Sequence, residues 1–306
     1  MSRSPLALAA LATAAVPGLD ARSVRVTDAP GEYEIAVVTD AEGAQWDVRV
    51  PVTAMAGASV EAEVALLETL HSYHEAGVLP FTVPRIAGSA PLPGGGRVIV
   101  HRHISGTPLD IESLRPGPGL AAELGRTVAA IHELPATIIE AAGLPAYPSD
   151  VYRLRRIVEL REAATTGRVP KSLLKRWQVA LNNEAFWRFQ PVVSHGDLAA
   201  DQVLVSGGRI RAITGWSNAR VADPADDLAW LLVAAPPHTM DTITEAYAAR
   251  RTDLKDPPLV DRALLIGELA LARWLMHGYR QNLPEVVADA VAMMHDLAEA
   301  TCAEAA

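Results

Sequence analysis

The chain has 306 residues, 50% of them apolar, and a formal net charge of −9. That length can bury a sizeable core and leaves room for two lobes, while the acidic balance argues against nucleic acid or an anionic membrane as the main partner. A lone cysteine, Cys302, excludes a disulfide framework or a cysteine metal site within one chain and makes a reducing, cytoplasmic compartment the simpler reading.

Pro5 to Val16, PLALAALATAAV, is apolar and follows Arg3. It has some look of a secretory signal but is too short to span a bilayer. The preferred reading is a first helix that packs through Leu6, Leu8 and Leu11. Strand signals follow: a short Val24–Val26 run, then a hairpin of Tyr33–Val38 against Trp46–Val50 across the Asp40–Gly43 turn. Alternation puts Asp47 and Arg49 on one face and Trp46, Val48 and Val50 on the other. The loop before the hairpin, Asp28-Ala29-Pro30-Gly31-Glu32, lacks a glycine-rich phosphate fingerprint.

Ser59 to His71 reads as a helix with Ser59 as N-cap and an apolar stripe of Val60, Val64, Leu67 and Leu70. Pro80 and Pro84 make Leu79 to Ile86 a connecting segment. Arg97 to Val100 is a strand that runs into His101-Arg102-His103, and two histidines at that spacing with no third ligand nearby do not make a metal site. Further helices are expected over Leu120–Leu134, Tyr152–Ala164, Lys171–Asn183, Leu228–Ala235, Met240–Arg250, Val260–Gly278 and Glu285–Leu297. Arg153, Arg155, Arg156, Lys171, Lys175 and Arg176 read as solvated helix faces. No internal repeat or low-complexity tract is present.

The densest stretch is Pro191 to Leu228, PVVSHGDLAADQVLVSGGRIRAITGWSNARVADPADDL. Val203–Val205 and Arg209–Ile213 pair across Gly207-Gly208 as a hairpin. HGDL, the strand pair, Trp216 and DPADDLA together resemble the small-molecule kinase superfamily typified by aminoglycoside and macrolide phosphotransferases. That resemblance implies an α+β, bilobal, protein-kinase-like fold. It implies an N-lobe with a small β-sheet over residues 1–106 and a larger helical C-lobe over 107–306.

The resemblance also implies roles. Asp197 matches the catalytic Asp, and His195 braces its loop. Arg49, in WDVRVP, would reach the nucleotide phosphates and pair with Glu63, with Glu61 as runner-up. Val98 and Val100 lie on the strand leading into the hinge, where backbone would meet the base. Asp227 matches the structural Asp under the loop, and Asp223 the first Asp of the same run. Two positions depart from the pattern. Gln202 stands where a metal-binding Asn or His belongs, and Gly215 stands where the metal-binding Asp belongs. Asp201 is expected to point away from Gln202, Thr214 to face away from the missing carboxylate, and Asp223 to be the best replacement ligand.

The implied activity is transfer of the γ-phosphate of GTP or ATP, with Mg²⁺, to a hydroxyl of a macrolide. It is expected to be weak or absent because Gly215 cannot ligate, and no cofactor need be retained. The alternatives are a non-catalytic kinase-like small-molecule binder and an aminoglycoside-type kinase. WDVRVP and ELALARWLMHG favour the macrolide, which would occupy a large, apolar, acid-rimmed cleft in the C-lobe. The expected partner is a small-molecule acceptor, with no nucleic acid and no membrane, and the expected state is a monomer.

Overall fold

Alternating valines build the first part of the chain. The computed structural model describes residues 3–27, 33–93, 95–252 and 255–304, with side chains to residue 301. The loop 28–32 and the side chain of Cys302 therefore lie outside the described residues. Helix α1 (Pro5–Ala15) is followed by strands β1 (Ala21–Thr27), β2 (Tyr33–Asp40) and β3 (Gln45–Pro51). Asp40 fixes the β2–β3 turn, because its carboxylate accepts from the amides of Glu42 and Ala44 and from Trp46 Nε1. Helix α2 (Ala54–Glu75), strand β4 (Ile86–Pro91) and strand β5 (Arg97–Arg102) complete the antiparallel sheet, in the order β1-β2-β3-β5-β4. Val38, Val48, Val50, Val98 and Val100 point to one face and pack with Leu8 and Ala12 of α1. Arg49, Ile99 and His101 take the other face, which looks into a cleft.

Three expectations change here. Leu6 is 81% exposed, so α1 packs through Leu8 and Leu11, as expected, and through Ala12 in place of Leu6. The cap of α2 is Thr53, whose Oγ1 accepts from the Ala56 amide at 3.1 Å, while Ser59 is internal and donates to the Met55 carbonyl. Ala54, Met55 and Ala56 are strong helix formers and carry the helix back past Gly57. Strand β4 was not expected; its small residues Ala87, Gly88 and Ser89 carry little strand signal, and pairing with β5 creates it.

The second part is helical. It contains the short strand β6 (Thr107–Pro108) and helices α3 (Leu120–His132), α4 (Thr137–Ala141), α5 (Ser149–Thr165) and α6 (Lys171–Asn182). Strands β7 (Val192–Ser194), β8 (Val203–Ser206), β9 (Arg209–Ile213) and β10 (Arg220–Ala222) follow, then α7 (Ala225–Ala234), α8 (Met240–Arg250), α9 (Leu259–Gln281) and α10 (Pro284–Glu304). β10 pairs with β7, and β6 joins the β8–β9 hairpin. Tyr152, Trp177, Trp187 and Trp216 are fully buried in one core that reaches up to Phe81 and Leu67. Thr82 exchanges backbone hydrogen bonds with Arg211 and Ile213, tying the proline-rich connection to β9. Arg156 does not sit on a solvated face: it is 8% exposed. No helix among the described residues is long and apolar enough to cross a membrane.

Candidate functional site

The loop after β7 is held from below by one carboxylate. Asp227, at the start of α7, accepts the His195 amide at 2.7 Å and the Gly196 amide at 2.9 Å. His132 Nε2 contacts the same carboxylate at 3.3 Å, and its Nδ1 meets the Tyr247 hydroxyl at 2.9 Å. These hydrogen bonds hold the Asp227 carboxyl below its ordinary range despite burial. His195 Nε2 lies 2.7 Å from the Thr214 carbonyl, which can only accept, so Nε2 carries the proton. Burial keeps this imidazole neutral by lowering its pKa. Gly196 has φ +83, and a Cβ there would meet the Asn218 carbonyl at 2.2 Å. That close turn presents Asp197 to the cleft, where Asn218 Nδ2 donates to its Oδ2 at 3.3 Å. Burial pushes the Asp197 carboxyl up from its ordinary value.

The roof comes from the sheet and α2. Arg49 Nη1 donates to Glu63 Oε2 at 2.6 Å, and Nη2 donates to Ser217 Oγ at 3.3 Å. Its guanidinium lies 3.7 Å from the centre of the Tyr33 ring. Glu63 is buried, which pushes its carboxyl up against the pull of Arg49. The pair therefore bridges β3 and α2, and through Ser217 it reaches the turn after Gly215. Glu61 belongs elsewhere, paired with Arg97 at 2.6 Å. His103 Nδ1 and Asp47 Oδ1 are 2.8 Å apart beside His101, so these histidines serve an acid rather than a metal. Val98 and Val100 do not face the cleft. Both are fully buried under α1, because alternation gives the cleft face of β5 to Ile99 and His101. The end of β5 and the chain beyond it line the cleft, through His101, His103, Ile104 and Gly106.

Gly215 adopts a left-handed conformation at φ +79, ψ +37. The Gln202 side chain fills the space beside it: a Cβ on Gly215 would lie 2.2 Å from Gln202 Oε1. Thr214 Oγ1 donates to that oxygen at 2.9 Å, so Thr214 faces the site of the missing carboxylate rather than away from it. Gln202 Nε2 reaches Asp201 Oδ2 at 3.5 Å, so Asp201 does not point away either. Both reversals follow from the turn ahead of β8. It lets the Gln202 arm fold back over Thr214, whose amide donates to the Gln202 carbonyl at 2.9 Å.

Between roof and floor lies a cleft of about 900 Å³, lined by Arg25, Arg49, His101, Asp197, Gln202 and Gly215 among others. A family profile for APH, the phosphotransferase enzyme family, matches residues 14–262. The chain belongs to this family. The macrolide 2'-phosphotransferase MphH from Brachybacterium faecium has the same fold, with a TM-score of 0.78 at 22% identity over 95% of this chain and 97% of that one. Macrolide 2'-phosphotransferase type I gives 0.78 at 23% identity, covering 96% and 99%. The GDP complex of aminoglycoside 2'-phosphotransferase-IIIa gives 0.79 at 17% identity, covering 98% and 100%. A Bacillus subtilis (strain 168) protein, YcbJ, is 37% identical over 60 residues, which is 19% of this chain and 20% of that relative. The bilobal, kinase-like α+β fold is thus that of a phosphotransferase of the APH family.

A phosphotransferase of this fold class uses metal to neutralise the transferring phosphate. Mg²⁺ takes oxygen ligands in near-octahedral geometry, with one or two carboxylates. The donors beside Gly215 do not fit it. Glycine offers no side chain, and the Gln202 oxygen is already bonded to Thr214. Asp223 cannot substitute: it is fully buried and holds Arg262 at 2.6 and 2.9 Å. Asp226 is committed to Arg220 and the Tyr152 hydroxyl. Among the described residues no group of three His, Cys, Asp or Glu side chains could hold a metal.

Sequence reasoning missed Ser217 and Asn218, which touch Arg49 and Asp197. Both lie within three residues of Gly215, and nothing in their residue type signals the contact. Among the described residues, the apolar groove between α9 and α10 has no acid in its lining, unlike the expected acid-rimmed cleft. This groove, about 700 Å³, carries Arg168, Tyr279 and Asn282 at its polar positions.

Proposed function

We propose that this APH-family chain binds a nucleoside triphosphate, GTP or ATP, in the cleft between residues 1–106 and 107–306. Its Mg²⁺-dependent turnover is weak or absent. The observation that carries this reading is the Gln202 amide lying in the space that a side chain on Gly215 would need. Phosphoryl transfer asks for an oriented hydroxyl and neutralised phosphates. Asp197 is the group that accepts the hydroxyl proton; it opens to the cleft, and partial desolvation there raises its pKa and makes it a better base. Arg49 is the hydrogen-bond donor to the nucleotide phosphates, held in place by Glu63. No carboxylate beside Gly215 supplies the remaining charge neutralisation.

For the acceptor we favour a macrolide, on the WDVRVP and ELALARWLMHG runs. The fold likeness extends equally to aminoglycoside enzymes and does not separate the two classes. A cytoplasmic monomer completes the reading. The decisive experiment is calorimetric titration of GTP and ATP with and without Mg²⁺, followed by turnover with macrolide and kanamycin-like panels. Nucleotide affinity is expected to change by less than about twofold with Mg²⁺. Robust Mg²⁺-dependent phosphorylation would overturn the proposal. It would favour a relocated ligand, for which Asp201, next to Gln202 and exposed, is the candidate; Asp201→Asn would then abolish it. Binding of kanamycin without any macrolide would reverse the acceptor preference.

A further inference from the structure

The groove between α9 and α10 begins where the two helices touch. Gly278, near the end of α9, allows the contact: a Cβ there would lie 2.9 Å from the Val287 amide nitrogen of α10. Asn282 ends α9 in a left-handed conformation, the Leu283 amide donates to the Gly278 carbonyl at 2.9 Å, and α10 starts directly after. Buried Ala290, Met294 and Ala298 hold α10 to the core. Ala288 and Ala292, on a neighbouring face of the helix, are exposed. With the end of α9 and Arg168 of the α5–α6 turn they line the groove of about 700 Å³. Its α10 wall, from Pro284 to Ala292, is about 12 Å long at the helical rise. None of its lining residues lines the Asp197 cleft.

The polar groups at this groove are unengaged. Arg168 is exposed, and its guanidinium makes no hydrogen bond or ion pair with the described residues. The Tyr279 hydroxyl and the Asn282 amide have no partner among them either. Acids on adjoining turns are held elsewhere, Glu162 by Arg280 at 2.5 Å and Asp289 by the Trp274 indole at 3.0 Å. The lining therefore offers three groups able to donate, one of them cationic, and no carboxylate. Its sign is opposite to the −9 of the whole chain.

A concave, mostly apolar site of this size with a few polar groups suits a small molecule. Its ten lining residues fall short of the roughly 20–30 a side of a stable protein interface. A guanidinium fork matches the two oxygens of a carboxylate, whereas a cationic ligand meets repulsion there. We propose that this groove binds an amphipathic monocarboxylic acid, with its apolar tail along α10 and its carboxylate on Arg168. The assignment does not depend on phosphotransfer, nucleotide or macrolide.

Decanoate, decylammonium and decanol share a tail and differ in head group. The test titrates each, below the concentration at which it aggregates, into the native protein, Ala288→Phe and Arg168→Gln, read by calorimetry and by Tm. Ala288 is exposed within a helix, so the larger side chain fills the groove without entering the core. Decanoate should raise the native Tm and bind about tenfold or more tighter than decylammonium, although the net charge by itself favours the cation. Ala288→Phe should keep the native Tm without probe and weaken decanoate about tenfold or more. Arg168→Gln should erase the preference for decanoate and leave decanol binding unchanged. If Ala288→Phe fails to fold, Arg168→Gln decides alone. The site is overturned by a native protein that does not bind decanoate, by decylammonium binding as tightly, or by unchanged decanoate binding in a folded variant. A native dimer that Ala288→Phe dissociates would also overturn it, because a second copy would then occupy the groove. Nucleotide titration of the native protein is a separate readout, and its failure sinks the proposed function while leaving this site standing.

Discussion

The Asp197 segment has two supports, and they have fared differently. Below the loop, the buried Asp227 accepts from the amides of buried His195 and half-buried Gly196 and meets buried His132. At the other end, Gly215 has no side chain and Gln202 fills the gap. The first support is part of the core, where an unpaired group carries the full desolvation cost. The second faces an open cleft, where the Gln202 amide bonds to Thr214 and the fold loses nothing. The loop that carries Asp197 can therefore hold its shape whichever side chains stand at positions 202 and 215.

The sharpest way to break that contrast is at Asp227. Asp227→Ala should cost about 3–5 kcal/mol, because two amides and His132 lose a buried carboxylate; the midpoint of a urea transition checks it. A variant as stable as the native protein would remove the distinction between the two ends. Next comes Gly215→Asp. Alone it should destabilise by about 1–3 kcal/mol, since its Cβ meets Gln202 Oε1 and its backbone is left-handed. Combined with Gln202→Asn, most of that cost should disappear and Mg²⁺ should strengthen nucleotide binding in a calorimetric titration. Equal stability of the single and double variants would show that Gln202 does not block the site.

The pH dependence is a smaller effect. His132 and His195 both have pKa values lowered by burial from the ordinary 6.5. The unfolded chain then binds protons that the folded one refuses, so their contribution is complete above 6.5 and is lost as the pH falls through it. Each group can add at most about 1.4 kcal/mol per pH unit. His132→Gln should flatten the fall in Tm below pH 6.5, and an unchanged slope would count against a neutral His132. The smallest effect is expected in the roof. Glu63→Gln keeps a hydrogen-bond acceptor for Arg49, so it should cost about 1 kcal/mol of stability. Nucleotide affinity should weaken as Arg49 loses its anchor, and a fluorescence titration reads that directly.

Much of this was legible in the chain itself. Period-two valines gave the sheet hairpin, and the HGDL and DPADDLA runs located Asp197 and its brace. The resemblance, aligned on Trp216 and the DPADDL run, implies that Gly215 stands where the family pattern has an Asp. Arg49 and Glu63 were expected to pair across a strand and a helix, and they do so at 2.6 Å. These features survive in one dimension because each rests on local periodicity or on a short motif.

What lay beyond the sequence depends on partners distant along the chain. Val98 and Val100 read as residues of the strand leading to the hinge, and the face their side chains take is decided by α1 packing on the sheet. Asp223 read as a spare ligand until Arg262, 39 residues away, was seen to hold it. Arg156 looked like a solvated cation, yet it is buried over the Tyr152 ring and paired with Glu159. The fate of a charged side chain is set by burial and by the groups that share its volume. Residue type and spacing fix which charges exist and on which local face they begin; only the packing of α1, α5 and α9 decides which of them are paired, which are buried, and which remain available to a ligand.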